Sequence, residues 1–262
     1  MPRFAANLSM MFTEHEFLDR FAAAADAGFK EVEYLFPYDF SASDIADRLQ
    51  KFSLAQVLFN MPPGDWSAGE RGFACLPGRS EEFNAGVERA LSYAQTLNCP
   101  RVHAMAGLTP QGVDENSLKA NYLDNIAYAA NQAGKIGIDL LIEPINNYDI
   151  PGYYLNDFGM AVALIEEIAS RGGTTPKLQF DIYHCQRIHG DVPAWIERCA
   201  PHIAHYQIAG VPGRHEPDNG NLPFETIIEA AEQFTPGLSI GCEYLPAGRT
   251  EDGLDWLKQY QS

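Results

Sequence analysis

Basic residues are scarce in this sequence. Lysine and arginine together number 18 against 35 aspartates and glutamates, which gives a formal net charge of -17. Proteins that bind nucleic acids or anionic membranes need a positively charged face. The composition therefore predicts neither a nucleic-acid partner nor a membrane partner. An anionic substrate would need local arginines or a metal ion to overcome the field of the whole chain.

Cysteine and long apolar segments are also scarce. The five cysteines are an odd number without the spacing of a metal site, and they are expected to be small buried apolar residues. No apolar run approaches the length of a membrane span. The first residues, MPRFAANLSMMF, lack the three-part pattern of a signal peptide. These absences predict a reduced, cytoplasmic protein.

The sequence does contain eight short apolar segments that alternate with helical patterns. The predicted strands are residues 4–8, 32–36, 54–59, 101–105, 138–142, 177–182, 204–209 and 238–242. The predicted helices are 13–27, 41–52, 81–97, 116–135, 157–170, 192–199, 224–234 and 252–260. This alternation predicts a single (β/α)8 TIM barrel over residues 1–262. The alternative, an open doubly wound sheet, is disfavoured because the first connection, ANLSMMFTE, has no glycine-rich phosphate fingerprint.

One connection is much longer than the others. Residues 60–79 are rich in glycine and proline and also carry Trp66, Arg71 and Phe73. Long loops within compact domains often act as lids over a site. The aromatic and arginine content predicts a lid here.

Polar side chains follow the predicted strands where they end. The segment IGIDLLIEPINN runs from a buried strand directly into Glu143, and the ends of the next three strands carry Asp181, Gln207 and Glu243. In a barrel of this kind the carboxyl ends of the strands build the active site. Oxygen ligands suit hard divalent cations, so the four residues predict a site for Mg²⁺ or Mn²⁺.

Several neighbouring residues leave alternatives open. His205 shares a strand face with Gln207 and would replace it if Gln207 is not a ligand. His103 and His184 are either pocket residues or hydrogen-bonded structural histidines. Asn7 and Glu33 end the first two strands, where they line the pocket floor or serve only the fold.

Paired carboxylates around a metal ion indicate proton transfer. A cation that holds a carbonyl and an adjacent hydroxyl stabilises an enediolate. One glutamate then removes a proton from carbon and the other returns it to the neighbouring carbon. This chemistry is that of an isomerase or epimerase, and it requires no organic cofactor.

At these residues the chain resembles a known family. The segments are LLIEPIN, QFDIYHCQ, HYQIAGVPGRHEP, IGCEYLP, RFAANLSMMF, VEYLFPYDF and GDWSAGERGFACLPGR, which together cover most of the chain. They resemble the hydroxypyruvate isomerase family of the xylose-isomerase-like barrels. The resemblance implies interconversion of hydroxypyruvate and tartronate semialdehyde. It also implies Glu143 and Glu243 as the acid–base pair, with the metal held by these two residues and by Asp181 and Gln207. Related epimerases carry a histidine at the position of Gln207.

The substrate and its contacts are less defined. The nearest alternatives are 2-oxo-tetronate isomerisation and ketose 3-epimerisation on the same site, followed by metal-dependent phosphodiester hydrolysis and by a binding protein without catalysis. Arg71, Arg214 and His215 are predicted to bind the carboxylate of a small 2-oxo acid, since arginine can grip both oxygens. The sequence does not determine the oligomeric state, and a homo-oligomer is compatible with it.

Overall fold

The computed structural model describes residues 2–260, and its centre is a closed barrel of eight parallel strands. The strands lie side by side in chain order, and the first strand pairs with the last. They are β1 (Arg3–Asn7), β2 (Glu31–Tyr34), β3 (Ala55–Asn60), β4 (Arg101–His103), β5 (Asp139–Ile142), β6 (Lys177–Asp181), β7 (Ile203–Gln207) and β8 (Ser239–Cys242). All of the predicted strands are present, and the (β/α)8 prediction is confirmed.

Eight α-helices surround the barrel within the described residues. They are α1 (Arg20–Asp26), α2 (Ala42–Phe52), α3 (Ser80–Leu97), α4 (Glu115–Gly134), α5 (Phe158–Ser170), α6 (Ile182–Ile188), α7 (Val192–Cys199) and α8 (Phe224–Phe234). Side-chain caps fix several of their starts, because a cap satisfies a backbone N–H that has no partner in the helix. Ser41 caps α2, Asp114 caps α4 and Asp157 caps α5.

The predicted helix over residues 13–27 is wrong in its first half. The chain forms a 3₁₀ turn at Phe17–Asp19, and α1 begins only at Arg20. A distant residue holds the preceding segment out of the helix. Thr250 donates from its backbone N–H to Glu14 Oε1 at 2.6 Å, and its hydroxyl oxygen accepts from Phe12 N at 2.7 Å. Thr13 therefore does not cap a helix.

Two further helical predictions need correction. The short helix α6 was not predicted from the sequence, although Asp181 is a suitable capping residue at its start. The predicted helix over residues 252–260 consists instead of 3₁₀ turns at Thr250–Gly253 and Asp255–Tyr260. Trp256 there packs edge-on against Phe4 of β1, with ring centroids 5.0 Å apart. This aromatic contact packs the segment after β8 against β1, in the place where a regular helix was predicted.

The core has two parts. The larger fills the space between the strands and the helices, and it includes Phe21, Val32, Ile142 and Phe180. A smaller cluster contains only residues from odd-numbered strands, as expected of a layer within a barrel interior: Ala5, Val57, Leu58, Leu141 and Ala204. All five cysteines are buried and unpaired, as predicted. No helix in residues 2–260 has the length and apolar character needed to cross a membrane.

Candidate active site

The four predicted site residues lie together at the carboxyl end of the barrel. Asp181 and Gln207 are the last residues of β6 and β7 and are register partners. Glu143 and Glu243 each come directly after a strand, β5 and β8. All but Glu243 are at most 5% exposed. The strand pattern in the sequence therefore located this group correctly.

Two buried amides connect the two glutamates. Gln179 Nε2 donates to Glu143 Oε2 at 2.9 Å and to Gln207 Oε1 at 2.6 Å. Gln207 Nε2 in turn donates to Glu243 Oε2 at 2.5 Å. The network fixes the orientation of both carboxylates.

Burial and mutual repulsion change the acidity of the carboxyl groups. Burial, reinforced by the negative charges of Glu243 and Asp181, raises the pKa of Glu143 well above its ordinary value. Burial raises the pKa of Glu243 to about 8, against the opposing effect of Arg214. Burial also raises the pKa of Asp181 to about 6. The site therefore retains protons that are easily exchanged near neutral pH.

Arg214 brings a positive charge among these acids. It lies in the loop after β7, where Nη2 is 2.7 Å from Glu243 Oε1 and 3.6 Å from Asp181 Oδ2. Nη1 is 3.5 Å from Asp149 Oδ2. Tyr183 stacks against the guanidinium group at 4.8 Å. Arg214 is thus held beside two of the predicted site residues, and its predicted contact with a substrate carboxylate stays a prediction.

His184 enters the site because Asp181 caps α6. The Asp181 carboxylate accepts from Tyr183 N and His184 N, at 2.7 Å and 3.2 Å. This places His184 Nε2 3.8 Å from Glu143 Oε1 and 3.6 Å from Asp181 Oδ2. One ligand-type atom from each of Glu143, Asp181 and His184 lies within 4.8 Å of the others, so the three form a candidate divalent metal site.

The hydrogen bonds of Asn146 define the role of His184 further. Asn146 Oδ1 accepts from the backbone N–H groups of Tyr148 and Asp149, both at 3.0 Å. Its Nδ2 therefore faces His184 Nδ1, 2.6 Å away, and donates to it. With Nδ1 accepting, the ring proton lies on Nε2. In this tautomer Nε2 carries a proton and is a hydrogen-bond donor, so of the three grouped residues Glu143 and Asp181 are the ones with free ligand atoms. Its place after β5 is the one signal for Asn146 that the sequence carries.

A cavity of about 110 Å³ opens between these residues. Glu143, Glu243, His103, His184 and Arg214 supply its polar wall. Apolar side chains supply the rest, including Leu35, Met105, Ile145 and Ile150, with Trp66 from the predicted lid. Burial lowers the pKa of His103 to about 3, so this ring is neutral. The cavity is suited to a small polar molecule.

Two predicted substrate ligands do not line this cavity. The Arg71 guanidinium stacks on the Trp66 ring at 3.7 Å and donates to the backbone oxygens of Trp66 and Glu70. His215 Nδ1 donates to the backbone oxygen of Leu245 at 2.8 Å. Of the cationic candidates after β7, only Arg214 points into the site.

A TIM barrel with a cluster of buried carboxyl groups at the carboxyl ends of its strands is the class that this fold and site define. The model of the xylose isomerase-like TIM barrel family matches residues 21–260, and the chain belongs to that family. It is 51% identical to a 2-oxo-tetronate isomerase of Cupriavidus necator, over 99% of both chains. It is also 42% identical to the hydroxypyruvate isomerase of Escherichia coli, over 100% of both. The predicted family is confirmed, and the protein is an isomerase.

Solved structures agree on the fold. A Brucella melitensis protein described as an AP endonuclease of family 2 superposes with a TM-score of 0.96, at 46% identity and with 100% of both chains covered. The 3-keto-D-glucoside 4-epimerase of E. coli superposes with a TM-score of 0.81 at 16% identity, covering 99% of each chain. The second likeness concerns the fold alone.

Proposed function

We propose that this protein isomerises a short 2-oxo acid with a hydroxyl group on C3, moving the carbonyl from C2 to C3. One observation carries the proposal: Glu143 and Glu243, both with raised pKa values, face one small cavity. Proton donors and acceptors work best when their pKa lies near the working pH. The names of the two curated relatives support the same reaction class.

The reaction needs two proton transfers at carbon. One glutamate removes the hydrogen from C3, and the electron pair forms a double bond between C3 and C2. The proton of the C3 hydroxyl moves to the C2 oxygen, and the second glutamate delivers a proton to C2. Because Glu143 follows β5 and Glu243 follows β8, the two carboxyl groups reach the cavity from different strands, and each could serve one carbon.

The residues fit a divalent cation. Glu143 Oε1 is buried and has no hydrogen-bond partner among the described residues, and three carboxylates share the site. Glu143 and Asp181 would hold the cation together with Glu243 and Gln207, because their oxygen atoms are the ligands that Mg²⁺ and Mn²⁺ prefer. Such a cation supplies stabilisation of the negative oxygens in the enediolate.

Positively charged and neutral donors complete the site. Arg214 is the partly buried cation that would bind the carboxylate of the substrate. His184 Nε2–H, oriented by Asn146, would donate to a substrate oxygen. Trp66 covers the cavity and excludes water from it, which protects a reactive intermediate.

The two candidate substrates share the reacting atoms. Hydroxypyruvate carries only hydrogens on C3 besides its hydroxyl, whereas 2-oxo-tetronate carries a further hydroxymethyl group there. The space beside the apolar residues of the cavity would decide between them, because only the second substrate has to fit the further hydroxymethyl group. Arg71, predicted to bind the carboxylate, does not line the cavity and so gives no preference between the two substrates.

Proton NMR tests the proposal. The Mn²⁺- or Mg²⁺-loaded protein is incubated with each substrate, samples are taken at discrete times, and the metal is removed from each sample before its spectrum is recorded. We expect metal-dependent conversion of at least one 2-oxo acid, abolished by EDTA and restored by the metal. Free ketoses and an abasic-site DNA duplex serve as negative controls for epimerase and endonuclease activity. Cleavage of the duplex without conversion of either 2-oxo acid would contradict the proposal, as would full activity after metal removal.

A further inference from the structure

A buried glutamate beneath the cavity, Glu33 of β2, has no role in the reaction described above. It is 1% exposed and does not line the cavity. Its Oε2 lies 2.6 Å from His205 Nε2, and its Oε1 accepts from Asn7 Nδ2 at 2.9 Å and from Gln207 Nε2 at 2.8 Å. A buried carboxylate is costly unless it is hydrogen-bonded, and here three side chains satisfy it.

Two of these partners also contact Glu243. Gln207 Nε2 donates both to Glu33 Oε1 and to Glu243 Oε2, the latter at 2.5 Å. Asn7 Nδ2 donates to the same two oxygens, at 2.9 Å and 3.2 Å. Glu33 Oε1 and Glu243 Oε2 are thus bridged twice by amide groups. The bridges hold the Glu243 carboxylate in one orientation at the cavity.

The same contacts also determine which way the Gln207 amide points. Because its Nε2 faces Glu33 and Glu243, its Oε1 must face the opposite side, where Gln179 Nε2 donates to it. Gln179 Nε2 also donates to Glu143 Oε2, so the orientation of the Gln207 amide affects the position of Glu143 as well. Glu33 therefore lies at the start of a chain of contacts that reaches both glutamates.

The barrel provides space for this carboxylate. A methyl group added to Gly241 of β8 would overlap the carboxylate of Glu33. Gly241 does not have the positive φ that favours glycine, so the space for Glu33 is what requires the small residue. An uncharged change at Gly241 therefore displaces Glu33 while leaving every polar group in the chain.

We propose that Glu33 is a positioning residue, which orients Gln207, Asn7 and thereby Glu243 for metal binding and proton transfer. The role depends on its acceptor oxygen. Residues behind metal ligands typically contribute about 10- to 100-fold to metal affinity or activity. This inference rests on the proposed function, but Mn²⁺ binding without substrate gives it a separate measurement.

Glu33→Leu replaces the carboxylate, and with it the acceptor oxygen, by an apolar side chain of similar size. We expect about 10- to 100-fold losses in kcat and in Mn²⁺ affinity, measured by electron paramagnetic resonance of free Mn²⁺, with KM changed less than about threefold. Glu33→Gln keeps an oxygen for Asn7 and Gln207 and turns its amide towards His205, so it should restore both values to within about fivefold of the parent.

Gly241→Ala should reproduce the losses of Glu33→Leu, and it tests the inference if Glu33→Leu does not fold. Gly134→Ala is its matched control, because an added methyl there overlaps Thr174 outside this network. Parental kcat and Mn²⁺ affinity in both Glu33→Leu and Gly241→Ala would overturn the inference. Equal losses of kcat and Mn²⁺ affinity in Glu33→Gln and Glu33→Leu would also overturn it, because the losses would then come from the missing charge and not from the missing acceptor oxygen. A parent protein that converts neither 2-oxo acid would instead contradict the proposed function.

Discussion

Arg214 Nη2 lies 2.7 Å from Glu243 Oε1, so one of the two proposed acid–base residues is paired with a partly buried arginine. The positive charge favours the ionised form of Glu243 and opposes the effect of burial on its pKa. The same guanidinium group is the nearest cation available to a substrate carboxylate. The relationship therefore links substrate binding to the protonation state of Glu243.

Replacing this arginine should affect binding and pH dependence together. In Arg214→Met, we expect KM for the 2-oxo acid to rise by about 10-fold or more, since a charge-assisted pair is lost. The pKa of Glu243 should rise, and the acid limb of kcat/KM should move to higher pH. Steady-state kinetics across pH measures both. A KM like that of the parent would exclude Arg214 as the carboxylate ligand.

Asn146 offers a test of the His184 assignment. Asn146→Asp places an acceptor opposite His184 Nδ1, which moves the ring proton away from Nε2. We expect turnover to fall by about 10- to 100-fold, the range for a lost hydrogen bond to a charged or developing group. Nitrogen NMR of the histidine ring reports the tautomer directly. Asn147→Asp, at the exposed neighbouring position, is the matched control. A parent ring protonated only on Nδ1, or a variant ring protonated only on Nε2, would contradict the assignment.

Metal binding should strengthen as pH rises. The pKa of Asp181 is raised to about 6 and that of Glu243 to about 8, so protons compete with a cation below these values. Raised pKa values in the folded state also mean that the metal-free protein loses stability as pH rises through them. We therefore expect the Tm of the EDTA-treated protein to fall from pH 5 towards pH 8.

Titration calorimetry with Mg²⁺ or Mn²⁺ over the same pH interval measures the linkage. Glu243→Gln removes one of the groups that bind protons in this interval and should weaken the dependence between about pH 7 and pH 8, leaving the contribution of Glu143. A metal affinity that does not change with pH in the parent would show that the carboxylates are already ionised.

The lid residues should differ in their effects. Trp66 lines the cavity, so Trp66→Ala should raise KM clearly. Arg71 contacts the back of that ring, and a partly exposed cation–π contact contributes only about 0.5–1 kcal/mol. Arg71→Ala should therefore change KM less than about fivefold. A loss near 100-fold in Arg71→Ala would show that this arginine reaches the substrate carboxylate.

The sequence predicted the barrel well because each strand and helix has a local pattern. The strand ends then located Glu143, Asp181, Gln207 and Glu243 without knowledge of side-chain contacts. The predictions that failed depend on contacts between residues far apart in the sequence. The helix before Arg20 is prevented by Thr250, more than 200 residues away in the chain. Glu33 and Asn146 gain their roles only through partners on distant strands and helices, so local patterns carry little information about them.

Isotope incorporation tests the central claim, that two glutamates transfer protons between C3 and C2. Conversion of the 2-oxo acid is run in deuterated water, and the product is analysed by NMR and mass spectrometry. We expect deuterium on C2 of the product, because the proton delivered there comes from a group that exchanges with solvent. Glu143→Gln and Glu243→Gln should each abolish this incorporation while retaining the fold by circular dichroism. Full retention of the substrate's own hydrogen on C2 would indicate direct hydride transfer and contradict the account.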